Sequence, residues 1–290
     1  MRPTRRPADE PLVGALVVVA TPIGNLEDLS PRAVRTLAAA DLVVCEDTRR
    51  ARKLLSAAEV PAPPLLAAND HTEAACVGTV LQRLGAGATV AVISDAGLPG
   101  ISDPGERLVR AAAGAGFEVR VVPGPSAALS GLVVSGLPAG RFVFEGFLPR
   151  RGSGRRQRLE ALAGERRTVV LYEAPHRLER TLVDLVASLG GHRRVALCRE
   201  LTKLHEETRR STLAEALEWA RSEAPRGEFV VVVEGAAAPP EAHDSELVVA
   251  LRRLVAQGAS TRDAVAEVAS VYRVPKRRVY DLATGAPDEC

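Results

Sequence analysis

Hydrophobic positions along this chain fall into short unbroken runs that alternate with amphipathic stretches. In the first half, apolar runs at 15–20, 41–45, 64–67, 88–93 and 118–122 read as buried strands. Helical patterns follow them at 31–39, 48–56, 72–84, 106–115 and 125–134. Ser30-Pro31 supplies an N-cap Ser and a first-turn Pro for the helix at 31–39. This rhythm with short connections predicts a mainly parallel sheet covered on both faces.

Phe142-Val143-Phe144 adds a candidate edge strand, and the Gly/Arg segment 149–156 reads as a boundary or an exposed loop. The second half repeats the theme with helix 157–163, strand 167–172, helix 175–188, strand 194–199, helix 212–221 and strand 228–234. It predicts a second α/β lobe that is shorter and has fewer strands. An Ala/Pro linker at 236–240 precedes helical patterns at 245–256, 261–271 and 276–283, which resemble a helix-turn-helix unit. The expected organisation is a disordered arm at 1–12, an N-terminal lobe at 13–140, a C-terminal lobe at 141–236 and a helical tail at 241–290.

Several strands empty into loops rich in Gly and Pro. Thr21-Pro22-Ile23-Gly24-Asn25-Leu26 follows the first, and Pro123-Gly124-Pro125-Ser126-Ala127 follows the run at 118–122. Between them, the twelve residues 94–105, SDAGLPGISDPG, hold three Gly, two Pro and two Asp. In a parallel α/β sheet, ligands sit outside the carboxyl ends of strands, where such loops lie. Glycine lets backbone approach a ligand closely and proline limits the shapes of the loop. Spacing alone leaves a long surface turn as an equal alternative.

Composition narrows the class. Hydrophobic residues at 46% and charged residues at 26% are those of a globular protein, and no apolar run approaches the roughly 18 residues of a membrane span. The four cysteines form no C-x-x-C pair, which predicts no metal site and a reducing cytosol. His205-Glu206-Glu207 starts like H-E-x-x-H, but Arg at 209 ends that reading. G-x-x-x-x-G-K-[ST] and G-x-G-x-x-G are both absent, against a P-loop or dinucleotide fold.

The net charge of +2 hides two basic clusters. Residues 149–158 carry Arg150, Arg151, Arg155, Arg156 and Arg158 with no acid, and Arg273, Lys276, Arg277 and Arg278 lie near the C-terminus. Such clusters are the footprint expected for phosphate backbones, against the alternative of a merely solvated surface. With aromatics at 3%, a base-stacking platform is not expected.

TPIGNLEDLSPRA (21–33), CEDTR (45–49), SDAGLPGISDPG (94–105), VPGPSA (122–127), YEAPHR (172–177), RELTKLHEE (199–207) and GEFVVVVEG (227–235) occur in this order. Together they resemble the ribosomal RNA small-subunit methyltransferase I family, of the tetrapyrrole-methylase superfamily of S-adenosylmethionine-dependent enzymes. The likeness runs over roughly residues 12–235 and weakens through the tail. It implies two α/β lobes with the cofactor in the cleft between them, plus the small helical tail.

The resemblance places Pro22, Ile23 and Gly24 beside the cofactor, with Asp95, Leu98, Ile101 and Ser102 lining the same pocket. Ser126 and Ala127 open a helix there, and Leu171, Tyr172, Leu201 and the strand near Val232–Glu234 close the other side. It further implies methylation of the 2′-hydroxyl of a cytidine in 16S ribosomal RNA, with the small ribosomal subunit as partner, a homodimeric state and a cytoplasmic location. Arg150, Arg151, Arg155, Arg156, Lys276, Arg277 and Arg278 are the expected RNA contacts. Candidates for assisting the hydroxyl are Asp47, His71, Glu73, Asp103, His176, Lys203 and Glu206, and none is singled out as a base. Helix capping explains Asp47 and the 69–73 segment equally well. Two alternatives stay open: a tetrapyrrole or protein methyltransferase of the same superfamily, and a non-enzymatic RNA-binding regulator.

Overall fold

The computed structural model describes residues 14–69, 72–237 and 242–285; the arm at 1–12 and His71 lie outside them. The first sheet has the order β3-β2-β4-β1-β5, from β1 (Ala15–Val19), β2 (Leu42–Cys45), β3 (Leu65–Ala67), β4 (Val90–Val92) and β5 (Glu118–Val122). Every pairing within it is parallel. The strands read as continuous apolar runs because both faces are buried. Val17 and Val19 join Val43 and Ala91 beneath α1 (Pro31–Ala38) and α2 (Thr48–Ala57). Leu16, one residue out of phase, joins Val44 and Val92 beneath α3 (Glu73–Gly85) and α4 (Glu106–Gly114). Ser30 starts α1 as expected, its Oγ accepting from the Ala33 N–H at 3.1 Å with Pro31 in the first turn.

The chain then leaves the first sheet. α5 (Ala127–Ser135) follows β5 but packs Ala128 and Leu132 on Val170, Ala196 and Val230 of a second sheet. That sheet has the order β6-β7-β10-β8-β9, from β6 (Phe142–Phe147), β7 (Thr168–Glu173), β8 (Arg194–Arg199), β9 (Glu207–Thr212) and β10 (Phe229–Val233). β6 runs parallel to β7 at one edge, and the remaining pairings are antiparallel. α6 (Ser153–Ala163), α7 (Pro175–Leu189) and α8 (Leu213–Ser222) cover the opposite face through Leu159, Leu182 and Leu213.

Two expectations are corrected here. Among the described residues the second lobe does not have fewer strands, since each sheet has five. The strand that sequence reading missed is β9, ETRRST, a polar edge strand with no hydrophobic run to signal it. Edge strands carry charge because only one side of them is paired. Segment 149–156 is also not a loop throughout: α6 begins at Ser153.

The described residues from 237 onward form a separate compact unit. Its α9 (Asp244–Ala256), α10 (Thr261–Val271) and α11 (Lys276–Gly285) bury Leu247, Leu251, Val265, Val268 and Val279. Among the described residues no helix is long and apolar enough to cross a membrane.

Candidate active site

β4, β1 and β5 are neighbours in the first sheet, so the loops that leave their carboxyl ends emerge together. Two of these loops bind each other: Thr21 N donates to Gly97 O at 2.9 Å, and Gly97 N donates to Thr21 O at 3.2 Å. Gly97 has φ +86°, and a Cβ there would stand 3.2 Å from Ile23 Cγ2 and 3.4 Å from Pro125 O. Only glycine meets both demands without strain. Gly24 has a different constraint, because a Cβ would lie 3.0 Å from Leu201 O and collide with the Lys203 side chain. At this point the first lobe abuts the second, and Asn25 N donates to Thr202 Oγ1 at 3.2 Å.

Between the lobes lies a cavity of about 430 Å³. The first lobe supplies Ile23, Gly97, Leu98, Ile101, Ser102 and Asp103. Ser126 and Ala127 contribute the start of α5, where Ala128 N donates to Tyr172 Oη at 3.2 Å. The second lobe adds Phe147, Tyr172, His176, Cys198 and Leu201. Tyr172 meets Phe144 edge-on at a centroid distance of 5.1 Å and Phe147 at 5.6 Å. Burial pushes the Tyr172 phenol's pKa up, so the hydroxyl stays neutral. Glu200 and Thr202, at φ 49° and 66°, take left-handed conformations on either side of Leu201.

A second cavity, of about 560 Å³, adjoins the first and shares Ile23, Ala96, Lys203 and Glu228 with it. Its wall holds Pro22, Gly24 and Asp95, together with Arg50, Lys53 and Leu54 of α2. Asp95 pairs with Arg50 at 3.0 Å. Burial raises the Asp95 pKa, and the Arg50 charge offsets part of that rise.

The expected cofactor residues therefore divide. Leu98, Ile101, Ser102, Ser126, Ala127, Tyr172 and Leu201 line the first cavity; Pro22, Gly24 and Asp95 line the second; Ile23 lines both. Leu171 lines neither. It is 1% exposed in the second lobe's core, because adjacent strand residues face opposite ways and Tyr172 takes the cavity side.

Of the candidates for proton chemistry, Asp103 and His176 line the first cavity and Lys203 lines both. Lys203 Nζ sits 2.7 Å from Glu228 and 3.0 Å from Glu200. Burial pulls its pKa down, but the bonds to Glu228 and Glu200 outweigh this and hold it above the usual value. It is a cation, not a base. Glu73, only 4% exposed, accepts from the N–H groups of Gly105, Arg107 and Leu108 at 2.9, 3.0 and 3.3 Å, capping α4. Asp47 caps α2 and binds the Arg49 guanidinium, which drives its carboxyl well below the usual range. Glu206 accepts from Thr202 N at 2.6 Å and closes that turn.

The two basic clusters are not uniform. Arg150, Arg151 and Arg156 are exposed, as are Lys276 and Arg277. Arg155 was expected to meet RNA, and the structure corrects this. Its side chain is 5% exposed and faces inward, donating to Asp184 at 2.7 Å, Thr181 Oγ1 at 3.0 Å and Pro149 O at 3.0 Å. Arg278 pairs with Asp244 at 2.6 Å and donates to Ala242 O at 2.8 Å, which ties it into the tail's own fold. Sequence reading also passed over Phe147, Cys198, Glu200 and Glu228 in the cavity walls, and the cations of α2.

The sequence profile of the Tetrapyrrole (Corrin/Porphyrin) Methylases matches residues 15–217. The chain is 48% identical over 282 residues to a ribosomal RNA small subunit methyltransferase I of Mycobacterium tuberculosis, covering 94% of this chain and 98% of that one. A relative of the same name from Synechocystis sp. is 44% identical over 273 residues, with coverages of 93% and 98%. Among solved structures, diphthine synthase superposes with a TM-score of 0.62 at 13% identity, over 78% of this chain and 91% of that one. Uroporphyrin-III C-methyltransferase from Thermus thermophilus, complexed with S-adenosylhomocysteine, gives 0.53 at 20% identity, over 75% and 96%. The parallel sheet with its three adjoining strand-end loops and the mixed second sheet are thus the tetrapyrrole-methylase fold, and the chain belongs to the ribosomal RNA small subunit methyltransferase I family.

Proposed function

We propose that this protein transfers a methyl group from S-adenosylmethionine to the 2′-hydroxyl of a cytidine in 16S ribosomal RNA. The observation that carries this is a pair of adjoining cavities that share the Ile23–Ala96–Lys203–Glu228 wall, in a chain nearly half identical to relatives named for that RNA. A two-substrate transfer needs two seats with a common boundary, so that donor and acceptor meet in line.

The first cavity suits the cofactor. Its volume lies within the range of ligand sites, and most of its lining surface is apolar, with polar and charged side chains such as Ser102, Asp103, Ser126 and His176 set into it. Gly97 keeps the loop backbone close where a side chain would intrude. Ser102, Ser126 and the α5 N-terminus would hold polar ends of the ligand, while Leu98, Ile101 and Leu201 would keep water out. When bound, S-adenosylmethionine supplies an electrophilic methyl on a sulfonium. Asp47 and Glu73 are committed to helix caps and Lys203 is protonated, so catalysis is assigned to positioning rather than to any of these as a base. Homodimerisation and a cytoplasmic location belong to the same proposal.

The test supplies the protein with methyl-labelled S-adenosylmethionine and either purified small subunits, free 16S RNA or tetrapyrrole. Label recovered as a ribose-methylated cytidine is the expected result. Label in the tetrapyrrole or in ribosomal protein would replace this function with another of the superfamily. Binding of RNA without any transfer would leave a regulator.

A further inference from the structure

α2 carries four cations in five residues, Arg49, Arg50, Arg52 and Lys53, and no acid. They crowd its N-terminal half, where the helix dipole disfavours positive charge, and its last turn holds none. The stability of α2 therefore does not account for them. Asp47 takes Arg49, and Asp95 takes Arg50 while leaving that side chain 67% exposed. Lys53 is exposed and has no ion-pair partner among the described residues.

Helical spacing directs part of this charge. Positions 50, 53, 54 and 57 follow the i, i+3, i+4, i+7 pattern of one helix face, and all four line the second cavity. The lining thus sets Arg50 and Lys53 beside an apolar floor that includes Leu54, Ala57, Cys45 and Ile93, while its two acids, Asp95 and Glu228, are paired with Arg50 and Lys203. The floor stays uncharged, since burial, with Asp95 and Asp47 nearby, pushes the Cys45 thiol up to about 11. Among the described residues no aromatic side chain lines this cavity, so stacking on an aromatic is not part of the recognition proposed for it.

We propose that the second cavity seats the acceptor nucleotide of a single RNA strand, with Lys53 and Arg50 on its phosphates and the Leu54/Ala57 floor beneath ribose and base. The proposal rests on the function above and adds where the RNA enters. Phosphate contacts fix register, and register is what an in-line transfer needs. The shared wall brings a ribose seated here up to the edge of the first cavity.

Full-length Lys53→Glu, Lys53→Arg and Ala57→Trp test it. Both changed positions are exposed, so neither substitution has to fit into the buried core. Each variant is measured for S-adenosylhomocysteine affinity by calorimetry, binding of a small-subunit RNA fragment by anisotropy across a salt series, and KM and kcat for RNA. For Lys53→Glu the expected result is cofactor affinity within about twofold of the parent, an RNA KM raised about tenfold, and a salt slope shallower by about one. Ala57→Trp blocks the floor and lowers kcat/KM for RNA with cofactor affinity kept, while Lys53→Arg restores most RNA binding. RNA affinity and salt slope unchanged in Lys53→Glu would overturn the proposal. So would a loss of cofactor affinity in both Lys53→Glu and Ala57→Trp, which would give the cavity to the cofactor. Absence of methyl transfer by the parent protein defeats the proposed function instead, and the anisotropy series still decides whether Lys53 holds RNA.

Discussion

The two lobes build their sides of the cleft by different means. In the first, backbone does the shaping: loops after β1 and β4 bond to each other through Thr21 and Gly97, and glycine sits where a side chain would collide. In the second, side chains hold the wall. Glu173, 2% exposed at the end of β7, accepts from Thr181 Oγ1 at 2.5 Å and pairs with Arg177 at 3.1 Å. Arg177 donates to Leu148 O at 2.6 Å, and Arg155 joins Thr181 to Pro149 O. Two guanidiniums thus clamp the carbonyls that follow Phe147, a residue of the cavity wall. A backbone-built wall tolerates exchanges of side chain except at its glycines, whereas an ion-built wall fails when one partner is removed.

Arg155→Ala should be the most costly break in this contrast. It strips a buried cation from Asp184 and leaves Thr181 and Pro149 O without their donor, at a cost of about 3 kcal/mol. For a unit of this size that lowers the melting temperature by roughly 6–10 °C, measurable by calorimetry. Arg155→Lys should recover only part of it, because a single ammonium does not span three acceptors. A melting temperature unchanged in Arg155→Ala would remove the distinction between the two walls.

The corresponding break in the first lobe is Gly97→Ala. The left-handed backbone and the 3.2 Å approach to Ile23 make it cost about 1–2 kcal/mol. Its functional effect should exceed its effect on stability, because Gly97 lines the first cavity. Calorimetric affinity for S-adenosylhomocysteine is expected to drop about tenfold or more, against a modest loss in melting temperature. Parental affinity would show that this loop does not shape the cofactor seat.

Glu73→Gln is smaller again. The carboxylate caps α4 from α3 with three N–H groups, and the amide keeps the shape but loses the charge facing the helix dipole. About 1 kcal/mol of stability is expected to go, with kcat per folded enzyme unchanged. A large fall in kcat at parental stability would return Glu73 to the catalytic candidates.

This contrast also explains what the sequence disclosed. The first lobe's apolar runs, caps and Gly/Pro loops carry their constraints locally, so its strands and the loops that line the cavities were legible with boundaries off by a residue or two. The second lobe's constraints are tertiary. β9 has no apolar run because it lies at an edge, and Leu171 and Tyr172 look alike until the strand's facing is known. Arg155 is indistinguishable in sequence from Arg156, yet one is buried and the other exposed. The α2 cations were visible as RRARK, but only the helix face shows that Arg50 and Lys53 turn toward a cavity.

The smallest effect on stability, and the one that isolates surface charge from structural charge, belongs to the three arginines around Arg155. Arg150, Arg151 and Arg156 are exposed, so replacing all three with Ala should change stability by no more than about 0.5 kcal/mol. If they meet RNA, each lost phosphate contact shallows the salt slope of RNA binding, while affinity for S-adenosylhomocysteine stays at the parental value. The triple variant and Arg155→Ala then form a complementary pair: one loses RNA affinity at parental stability, the other loses stability first. A triple variant with the parental salt slope would reduce this cluster to solvated surface. RNA gripping would then fall to α2 of the first lobe and to Lys276 and Arg277 of the tail, which are exposed as well.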